Sequence, residues 1–367
     1  MTLNLLTPQA LAVPGIVGTE HVLTASGDEA AVLDQAIHAE ALRRDARVVS
    51  RFVFSGKDEV ARWDAGSGVD AGATARLHGD VAPARGPVTV QAIALNGVET
   101  TPVLHDGQVV GWIADDGQVR SCRLTGLVPT DPRVSREVQA RDVFTSASAI
   151  LAAHGFCFAD TVRTWLYLDR LLDWYDTFNR VRTDFFQEHG VFARLVPAST
   201  GIGAGTCAGA AISLSLLALR SADSQASAGQ VTVEAVASPL QCPAIGYRSA
   251  FSRAVEIRRG GVRSLLISGT ASIAPDGTSA HRADPERQIE LTLKVVDAIL
   301  RSRAMDWSHT SRAIAYATDP AYFSILDAVC RRLGLPAFPY APVHAIVCRD
   351  DLLFELELDA VASASAG

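Results

Sequence analysis

The second half of the chain repeats a sequence unit that is present in the first half. The matched positions lie about 149 residues apart: 149–151 (Ala-Ile-Leu) with 298–300, Arg163 with Arg312, and Tyr167 with Tyr316. A repeat must be recognised first, because a missed duplication gives the wrong fold. The final strand of the second copy carries carboxylates, whereas residues 191–219 of the first copy contain no Asp or Glu. The sequence therefore predicts a duplicated scaffold with one working site.

Composition excludes several classes of protein. The chain has 367 residues, 48% of them hydrophobic, and a formal net charge of −7. Such a charge provides no basic surface for nucleic-acid backbones. The first residues contain neither a positive stretch nor a long apolar run, so no signal peptide or membrane span is predicted. Six scattered cysteines without a C-x-x-C pair indicate reduced thiols. We expect a cytoplasmic protein with no nucleic-acid or membrane partner.

The pattern of apolar residues predicts two tandem ββαβαβ units, an α+β fold with helices on one face of each sheet. The expected division is an irregular, mostly β N-terminal region (1–102), a first unit (103–220), a connecting segment (221–253) and a second unit (254–367). Residues 64–85 are predicted to be loop. Predicted elements are helices 136–154, 172–189, 285–303 and 320–333, and strands 160–168, 211–219, 254–258, 264–268, 311–317 and 343–358, the last with a turn at 349–351.

The final strand contains the first candidate for chemistry. Glu355 and Glu357 are two residues apart on a strand, so both side chains point to the same face. That face could be solvated, but Leu352, Phe354 and Leu356 make the stretch strongly apolar. Burial disfavours a charged carboxylate and raises its pKa. A carboxylic acid of this kind can donate a proton near neutral pH.

Arginines on strands with aromatic neighbours are the second candidates. Arg163, Trp165 and Tyr167 alternate along one predicted strand and share a face. They could form a surface cation–π stack, or Arg163 could bind a carboxylate through its guanidinium fork. Arg253, two residues after Phe251, and Arg194, before Pro197, are candidates of the same kind.

Small polar residues and one thiol have both structural and functional interpretations. Thr200, Gly269 and Thr270 could supply hydroxyl and backbone N–H donors, or could belong to glycine-rich turns. Cys348, beside Ile346 and Val347, has the surroundings of a buried small apolar residue. The chain has no complete dinucleotide fingerprint and no phosphate-binding loop motif, and its nine histidines lack metal-ligand spacing. The sequence therefore predicts neither a cofactor nor a metal.

The second copy resembles the RidA/YjgF superfamily in Ile267-Ser268-Gly269-Thr270-Ala271, in Gln288 and in Glu355-Leu356-Glu357. The whole arrangement resembles the chorismatases, which join two RidA-like units and act on chorismate. The segments that carry this resemblance are 163–167, 195–203, 249–254, 268–272 and 347–352, within roughly 160–357. One departure is Ile273-Ala274, where chorismatases have Gly-His after the Ser-Gly-Thr-Ala-Ser run.

The resemblance implies a site and a reaction. It makes Glu355 the catalytic acid, leaves Glu357 structural, and places Cys348 in the lining of the pocket as a further catalytic-site residue. The implied substrate contacts are Arg163, Tyr167, Arg194, Thr200, Arg253, Gly269, Thr270 and Ala271. The expected reaction removes the enolpyruvyl ether of chorismate without a cofactor, giving pyruvate and either a dihydroxy-cyclohexadiene acid or a hydroxybenzoate.

Two other functions remain open at this point. A RidA-type enamine or imine deaminase needs only one carboxylate-binding arginine and leaves two arginine-bearing strands unexplained. A non-catalytic module that binds small carboxylic acids fits the same fold, because fold does not determine function. All three readings share a small carboxylic acid as partner. Both a monomer and a homo-oligomer are compatible with a duplication, which can replace contacts between subunits.

Overall fold

The computed structural model describes residues 5–56, 73–79, 88–221, 231–247 and 249–363. The helices are α1 Ala30–Arg43, α2 Arg136–Ala153, α3 Tyr175–Glu188, α4 Pro285–Ser302 and α5 Tyr322–Arg332. The strands are β1 Leu5–Pro14, β2 Thr19–Gly27, β3 Arg47–Ser55, β4 Thr74–Gly79, β5 Val88–Asn96, β6 Glu99–His105, β7 Gln108–Asp115, β8 Val119–Leu127, β9 Thr161–Leu168, β10 Ala198–Thr206, β11 Ile212–Ser221, β12 Thr232–Val236, β13 Ala254–Arg259, β14 Val262–Ala271, β15 Thr310–Ala317, β16 Ala341–His344 and β17 Phe354–Ser363.

The two predicted units are confirmed, and they have the same topology. The first has strand order β6-β7-β8-β11-β9-β10, and the second has β12-β13-β14-β17-β15-β16. In each unit one pair is parallel, β9 with β10 and β15 with β16. The predicted single strand 343–358 is wrong: β16 and β17 lie on opposite sides of β15. The chain must cross back between them, because β16 runs parallel to β15 whereas β17 runs antiparallel.

The N-terminal region is mostly β, as expected, but it is far more regular than predicted. Its strand order β1-β2-β5-β3-β4 repeats the other two units without their first strand. Strand β4 lies within the segment predicted to be loop (64–85), and the remainder of that segment lies outside the described residues apart from Ala73. Residues 222–230 and 248 of the predicted connection (221–253) also lie outside them, and β12, within the same segment, belongs to the sheet of the last unit. The described chain thus contains three related units. From here on they are numbered in chain order: the N-terminal unit (β1–β5) is the first, β6–β11 form the second, and β12–β17 form the third.

Helix boundaries follow local chemistry. Asp284 caps α4 by accepting a hydrogen bond from the Arg287 N–H at 3.0 Å, and Pro285 occupies the first turn, where no intrahelical N–H partner is needed. The Ser135 hydroxyl caps α2 in the same way. Each helix then buries one apolar stripe on its own sheet, and in α4 that stripe includes Ile289, Leu293 and Val296.

The three units share a core on the sheet faces that carry no helices. Phe54, Tyr167 and Tyr316 occupy corresponding positions on β3, β9 and β15, and they meet at one point. The Tyr167 and Tyr316 hydroxyl oxygens are 3.1 Å apart, and the Phe54 ring centroid lies 5.6 Å from that of Tyr167 and 6.4 Å from that of Tyr316. This trio marks an approximate threefold axis, around which each unit contacts the other two.

The same correspondence explains why one site is expected. The strand partners of the three aromatic residues are Thr89, Ser213 and Glu355. Only the third is ionisable. The Thr89 hydroxyl donates to the carbonyl of Pro342 at 2.9 Å, so this hydroxyl is used in packing one unit against another. Among the three corresponding positions, a titratable group occurs only where the second and third units meet.

Candidate active site

Glu355 lies at the boundary between the second and third units. It is on β17, opposite Ala271 of β14, and β10 of the second unit packs across this point. A Cβ added to Gly269 would be 1.9 Å from Oε1 of Glu355, so only glycine leaves room for the carboxyl group. The backbone N–H of Gly269 donates to Oγ1 of Thr200 at 3.1 Å, which ties β14 to the neighbouring unit.

The Glu355 carboxyl group is buried and has no hydrogen-bond partner in the part of the chain that the structure describes. The residue is 4% exposed, and its carboxyl oxygens make no hydrogen bond to any residue in the described ranges. Burial, followed by the nearby charge of Glu357, raises the pKa of Glu355 to about 8, although Arg163 and Arg253 act in the opposite direction. At neutral pH this group is mostly a carboxylic acid with a proton to donate.

Glu357 is the opposite case, a buried carboxylate surrounded by donors. It pairs with Arg312 at 2.5 Å and with Arg163 at 3.1 Å, and the Trp165 indole N–H donates to it at 2.9 Å. Burial alone would raise the pKa of Glu357, but the charges of Arg312 and Arg163 hold it below its usual value. Two carboxyl groups on one strand therefore have opposite protonation states, the pattern that separates a proton donor from a fixed charge.

Arg163 is not part of a surface stack, and its predicted contact with a substrate carboxylate stays a prediction. It is fully buried, with its guanidinium 5.0 Å from the Trp165 ring. Its Nη2 contacts Glu357 and donates to Oγ1 of Thr200 at 2.8 Å. Arg163 thus neutralises Glu357 and positions Thr200, with its positive charge close enough to oppose the rise in the pKa of Glu355.

Arg253 is also close to the carboxyl group. Its Nε and Nη2 donate to the carbonyl of Cys242 at 3.1 and 2.9 Å, and its guanidinium lies 5.5 Å from the Phe251 ring. Its charge lowers the pKa of both Glu355 and Cys348, which places it on the side of the site that faces these groups.

Two predicted contact residues lie elsewhere. Arg194 is exposed and pairs with Asp160 at 2.8 Å, beside the first residue of β9. Tyr167 is fully buried in the shared core and bonded to Tyr316. Their contact with a substrate stays a prediction: in the structure Arg194 pairs with an acid next to its own strand, and Tyr167 points to the axis between the units.

The glycine-threonine segment of β14 contributes through its backbone and small size. Thr270 is buried, and its hydroxyl donates to the carbonyl of Ser268 at 2.9 Å. Ala271 pairs with Glu355 across the two strands. Gly269 and Ala271 therefore lie beside the carboxyl group, whereas the Thr270 side chain is used within its own strand.

Cys348 and Tyr175, whose pKa values are both affected by the charge of Glu355, lie at an open cleft of about 580 Å³. Both residues line the cleft, and both pack against the core of the second unit. Burial and the charge of Glu355 raise the pKa of Cys348 to about 12, so the thiol stays neutral. The charges of Cys348 and Glu355 also raise the pKa of Tyr175, after burial, and its hydroxyl is bonded to that of Ser249.

Tyr175, Ser249 and Arg182 were missed in the sequence. Arg182 is buried on α3, where it donates to Oδ1 of Asn179 at 2.7 Å, and its charge reaches the Tyr175 hydroxyl. A charged residue on the buried face of a helix, between Phe178 and Phe185, was a detectable signal. For Tyr175 and Ser249 no local signal exists, because each belongs to a different unit.

We expect Gly269→Ala to lower any activity of this site by about 10²-fold, because a displacement of the acid by an ångström or more misaligns proton transfer. The reason is the 1.9 Å approach of the added Cβ to Oε1 of Glu355. Gly201→Ala is the matched control, since its added Cβ would meet Tyr175 at an ordinary 3.7 Å. Turnover rates of the two purified variants provide the comparison; equal rates would show that the position of Glu355 is not constrained by Gly269.

Comparison with known structures supports the expected fold. The chain is similar to a solved chorismatase, with a TM-score of 0.63 and 19% sequence identity over 85% of this chain and 92% of that one. The likeness shows the fold. Shorter matches include the yjgF gene product of Escherichia coli (TM-score 0.29, 20% identity, 35% of this chain and 98% of that one) and yeast Mmf1 (TM-score 0.30, 18% identity, 36% and 100%).

Comparison by sequence adds no relative. No protein-family model matches the chain, and no curated protein matches it. Within the ranges that the structure describes, no helix is long and apolar enough to cross a membrane. The same ranges contain no cluster of three or more His, Cys, Asp or Glu side chains arranged to hold a metal ion.

Proposed function

We propose that this protein cleaves the enolpyruvyl ether of chorismate and releases pyruvate. The observation that carries the proposal is Glu355, a buried carboxyl group without a hydrogen-bond partner among the described residues, whose pKa is raised to about 8. Enol ether cleavage requires a proton donor of this kind, because the vinyl carbon is a weak base. The chorismatase fold supports the choice of substrate.

The reaction begins with proton transfer from Glu355 to the methylene carbon of the enolpyruvyl group. The π electron pair of the C=C bond forms the new C–H bond. The carbon next to the ether oxygen is left with oxocarbenium-like character. The same logic operates when a positioned acid assists the cleavage of a glycoside. Glu355 becomes a carboxylate and can then accept a proton from the attacking nucleophile.

Two nucleophiles can complete the reaction. Attack of water on the oxocarbenium-like carbon gives a hemiketal, which collapses to pyruvate and a dihydroxy-cyclohexadiene acid with the ring C–O bond intact. In the other route the neighbouring ring hydroxyl attacks the ring carbon that carries the ether oxygen, breaks that C–O bond and releases pyruvate; the resulting epoxide loses a ring proton, gains a proton on oxygen and becomes a hydroxybenzoate. The first route consumes water, the second does not, and neither needs an oxidant or reductant. Both routes release pyruvate, so the acid step is common to them.

The substrate's two carboxylates need positive charge near the reacting carbon. Arg253 is close enough for its charge to lower the pKa of Glu355, and Arg349 lines the cleft beside Cys348. We assign one substrate carboxylate to this side, with Arg163 acting through its electrostatic field while it remains paired with Glu357. Tyr175 and Cys348 form the wall over which the substrate passes from the cleft.

Incubation of purified protein with chorismate, followed by enzymatic measurement of pyruvate, tests the function. The proposal expects pyruvate in stoichiometric yield with an aromatic or dihydroxy-cyclohexadiene acid. A 2-aminoacrylate-derived imine serves as the second substrate, because a deaminase would release ammonia from it. Ammonia from the imine without pyruvate from chorismate would favour the deaminase, and no turnover of either would favour a binding module.

The pH dependence follows from the raised pKa of Glu355. The acid form is required, so kcat/KM should fall as the pH rises through about 8, whereas an unperturbed glutamate, at 4.5, would already be inactive at neutral pH. The same shift affects stability. The folded state binds the proton of Glu355 more tightly than the unfolded state does, so the stabilisation by this proton is present at low pH and is lost as the pH rises from 4.5 to about 8. A pH–rate profile in buffers of constant ionic strength measures the fall in kcat/KM. A loss of activity centred near the ordinary glutamate value would contradict it.

Cys348→Ala should change the ratio of the two acid products more than the amount of pyruvate released. The neutral thiol adjoins the site, so removing it admits space for water next to the oxocarbenium-like carbon. Chromatography of the products of wild type and variant measures the ratio. A constant ratio combined with a lower melting temperature would make Cys348 a packing residue only.

A further inference from the structure

A second cavity lies on the approximate threefold axis, away from Glu355. Its volume is about 70 Å³, which is room for several water molecules or a small organic molecule. All three units contribute to its wall, with Val49 and Leu95 from the first, Leu217 and Leu219 from the second, and Leu266 and Val361 from the third. We call it the axial cavity. Its mainly apolar wall requires an occupant with an apolar body.

The wall of the axial cavity also contains an acceptor and a donor that are unused. Oδ1 of Asp359 and the indole N–H of Trp112 are both buried, and neither has a hydrogen-bond partner among the described residues. The other carboxylate oxygen of Asp359 pairs with Arg312 at 3.2 Å. Buried polar groups without partners are rare in folded proteins, because each costs about 1–3 kcal/mol.

The charges around the cavity favour a neutral occupant. The Arg312 and Arg163 guanidiniums are balanced by the carboxylates of Glu357 and Asp359. Arg123 and Glu20, which also line the cavity, pair with each other at 3.1 Å and are balanced as well. An ammonium or carboxylate ligand would therefore introduce a buried charge without a counter-charge. A hydroxyl group can donate to Asp359 and also accept from Trp112.

The cavity is connected to the candidate active site by direct contacts. Arg312 forms ion pairs with Asp359 and with Glu357. Glu357 also accepts a hydrogen bond from the indole of Trp165, which lines the cavity. We propose that the axial cavity is a binding site for a small neutral alcohol or phenol, and that its occupancy changes the electrostatic environment of Glu355 through Asp359, Arg312 and Glu357. The binding site is inferred from the wall of the cavity and does not rest on which reaction Glu355 performs.

Three probes with one apolar body test the binding site: 3-methyl-1-butanol, 3-methylbutylamine and 3-methylbutanoate. Isotope-edited NMR of the Trp112 and Trp165 indole N–H groups in the full chain follows each titration. We expect saturable binding of the alcohol and binding at least about tenfold weaker for the amine and the acid, the cost of one buried unpaired group. Equal binding of all three, or no saturation by the alcohol up to its solubility limit, would overturn the proposal.

Leu219→Phe provides the matched variant, because it adds volume to the wall of the cavity while Asp359 and Arg312 are retained. We expect it to weaken binding of the alcohol by at least about tenfold, with the far-UV spectrum and melting temperature as controls for folding. Asp359→Asn retains the shape but leaves one guanidinium charge unbalanced, so it should reduce the preference for the alcohol over the acid. The second readout is the titration of ¹³C-labelled Glu355, which should shift on adding the alcohol to wild type and not to Leu219→Phe. Unchanged binding in Leu219→Phe, or a cavity that contains water only in crystals soaked with the alcohol, would refute the site.

Discussion

Glu355→Gln is expected to lower kcat by about 10²–10⁴-fold, with substrate affinity almost unchanged, because the amide keeps the shape of the side chain but has no proton to donate at neutral pH. The carboxyl group makes no hydrogen bond to a described residue, so its replacement disturbs no protein contact. Steady-state rates of pyruvate release and the affinity for chorismate by calorimetry measure the two effects separately.

The stability of Glu355→Gln is its internal control. Removal of an unpartnered buried acid should leave the melting temperature equal to that of wild type or slightly above it at neutral pH. Full activity in a folded Glu355→Gln protein, together with an inactive and equally well folded Glu357→Gln protein, would assign the acid to the other glutamate.

Glu357→Gln is expected to lower the free energy of unfolding by about 3–5 kcal/mol, because Arg163 and Arg312 lose their shared buried counter-charge. Both guanidiniums lie within 3.1 Å of Glu357, and none of the three side chains is more than 2% exposed. Urea unfolding at neutral pH, monitored by circular dichroism, measures the loss.

Glu234→Gln is the matched control for this change. Its carboxylate pairs with Arg258 and Arg303 at the surface and is 49% exposed. Surface pairs of this kind contribute about 0–1 kcal/mol, so this variant should unfold almost like wild type. Similar losses for Glu234→Gln and Glu357→Gln would mean that the buried network does not stabilise the fold.

The repeat made most of the fold predictable. Arg163 and Arg312, and Tyr167 and Tyr316, correspond in sequence, and they occupy corresponding positions on β9 and β15. The N-terminal unit escaped recognition because it keeps the topology but not these residues. Phe54 stands where the other units have tyrosine, and Thr89 stands where the third has Glu355. A sheet needs alternating apolar residues and turns, and many different sequences provide them. Two units can therefore share a topology without sharing residues at corresponding positions.

The site was predictable only where its chemistry lies on one strand. The sequence of the last strand alone predicted that Glu355 and Glu357 share a face in apolar surroundings. The alternation also predicted that Leu356 points to the opposite face. The sequence could not predict the contact of Arg163 with Glu357, because the two residues belong to different units. Trp165, which also contacts Glu357, is 192 residues away from it in the chain. The pairing of Arg194 with Asp160 likewise depends on how a loop returns to the first residue of β9.

The most direct test of the central claim is the reaction with chorismate in D₂O, with the product examined by mass spectrometry before the methyl group of pyruvate can exchange. Protonation of the methylene carbon by Glu355 predicts pyruvate with a single solvent-derived deuterium in its methyl group, formed by wild type and not by Glu355→Gln. Pyruvate without deuterium, or labelled pyruvate formed equally well by Glu355→Gln, would contradict the assignment of Glu355 as the acid.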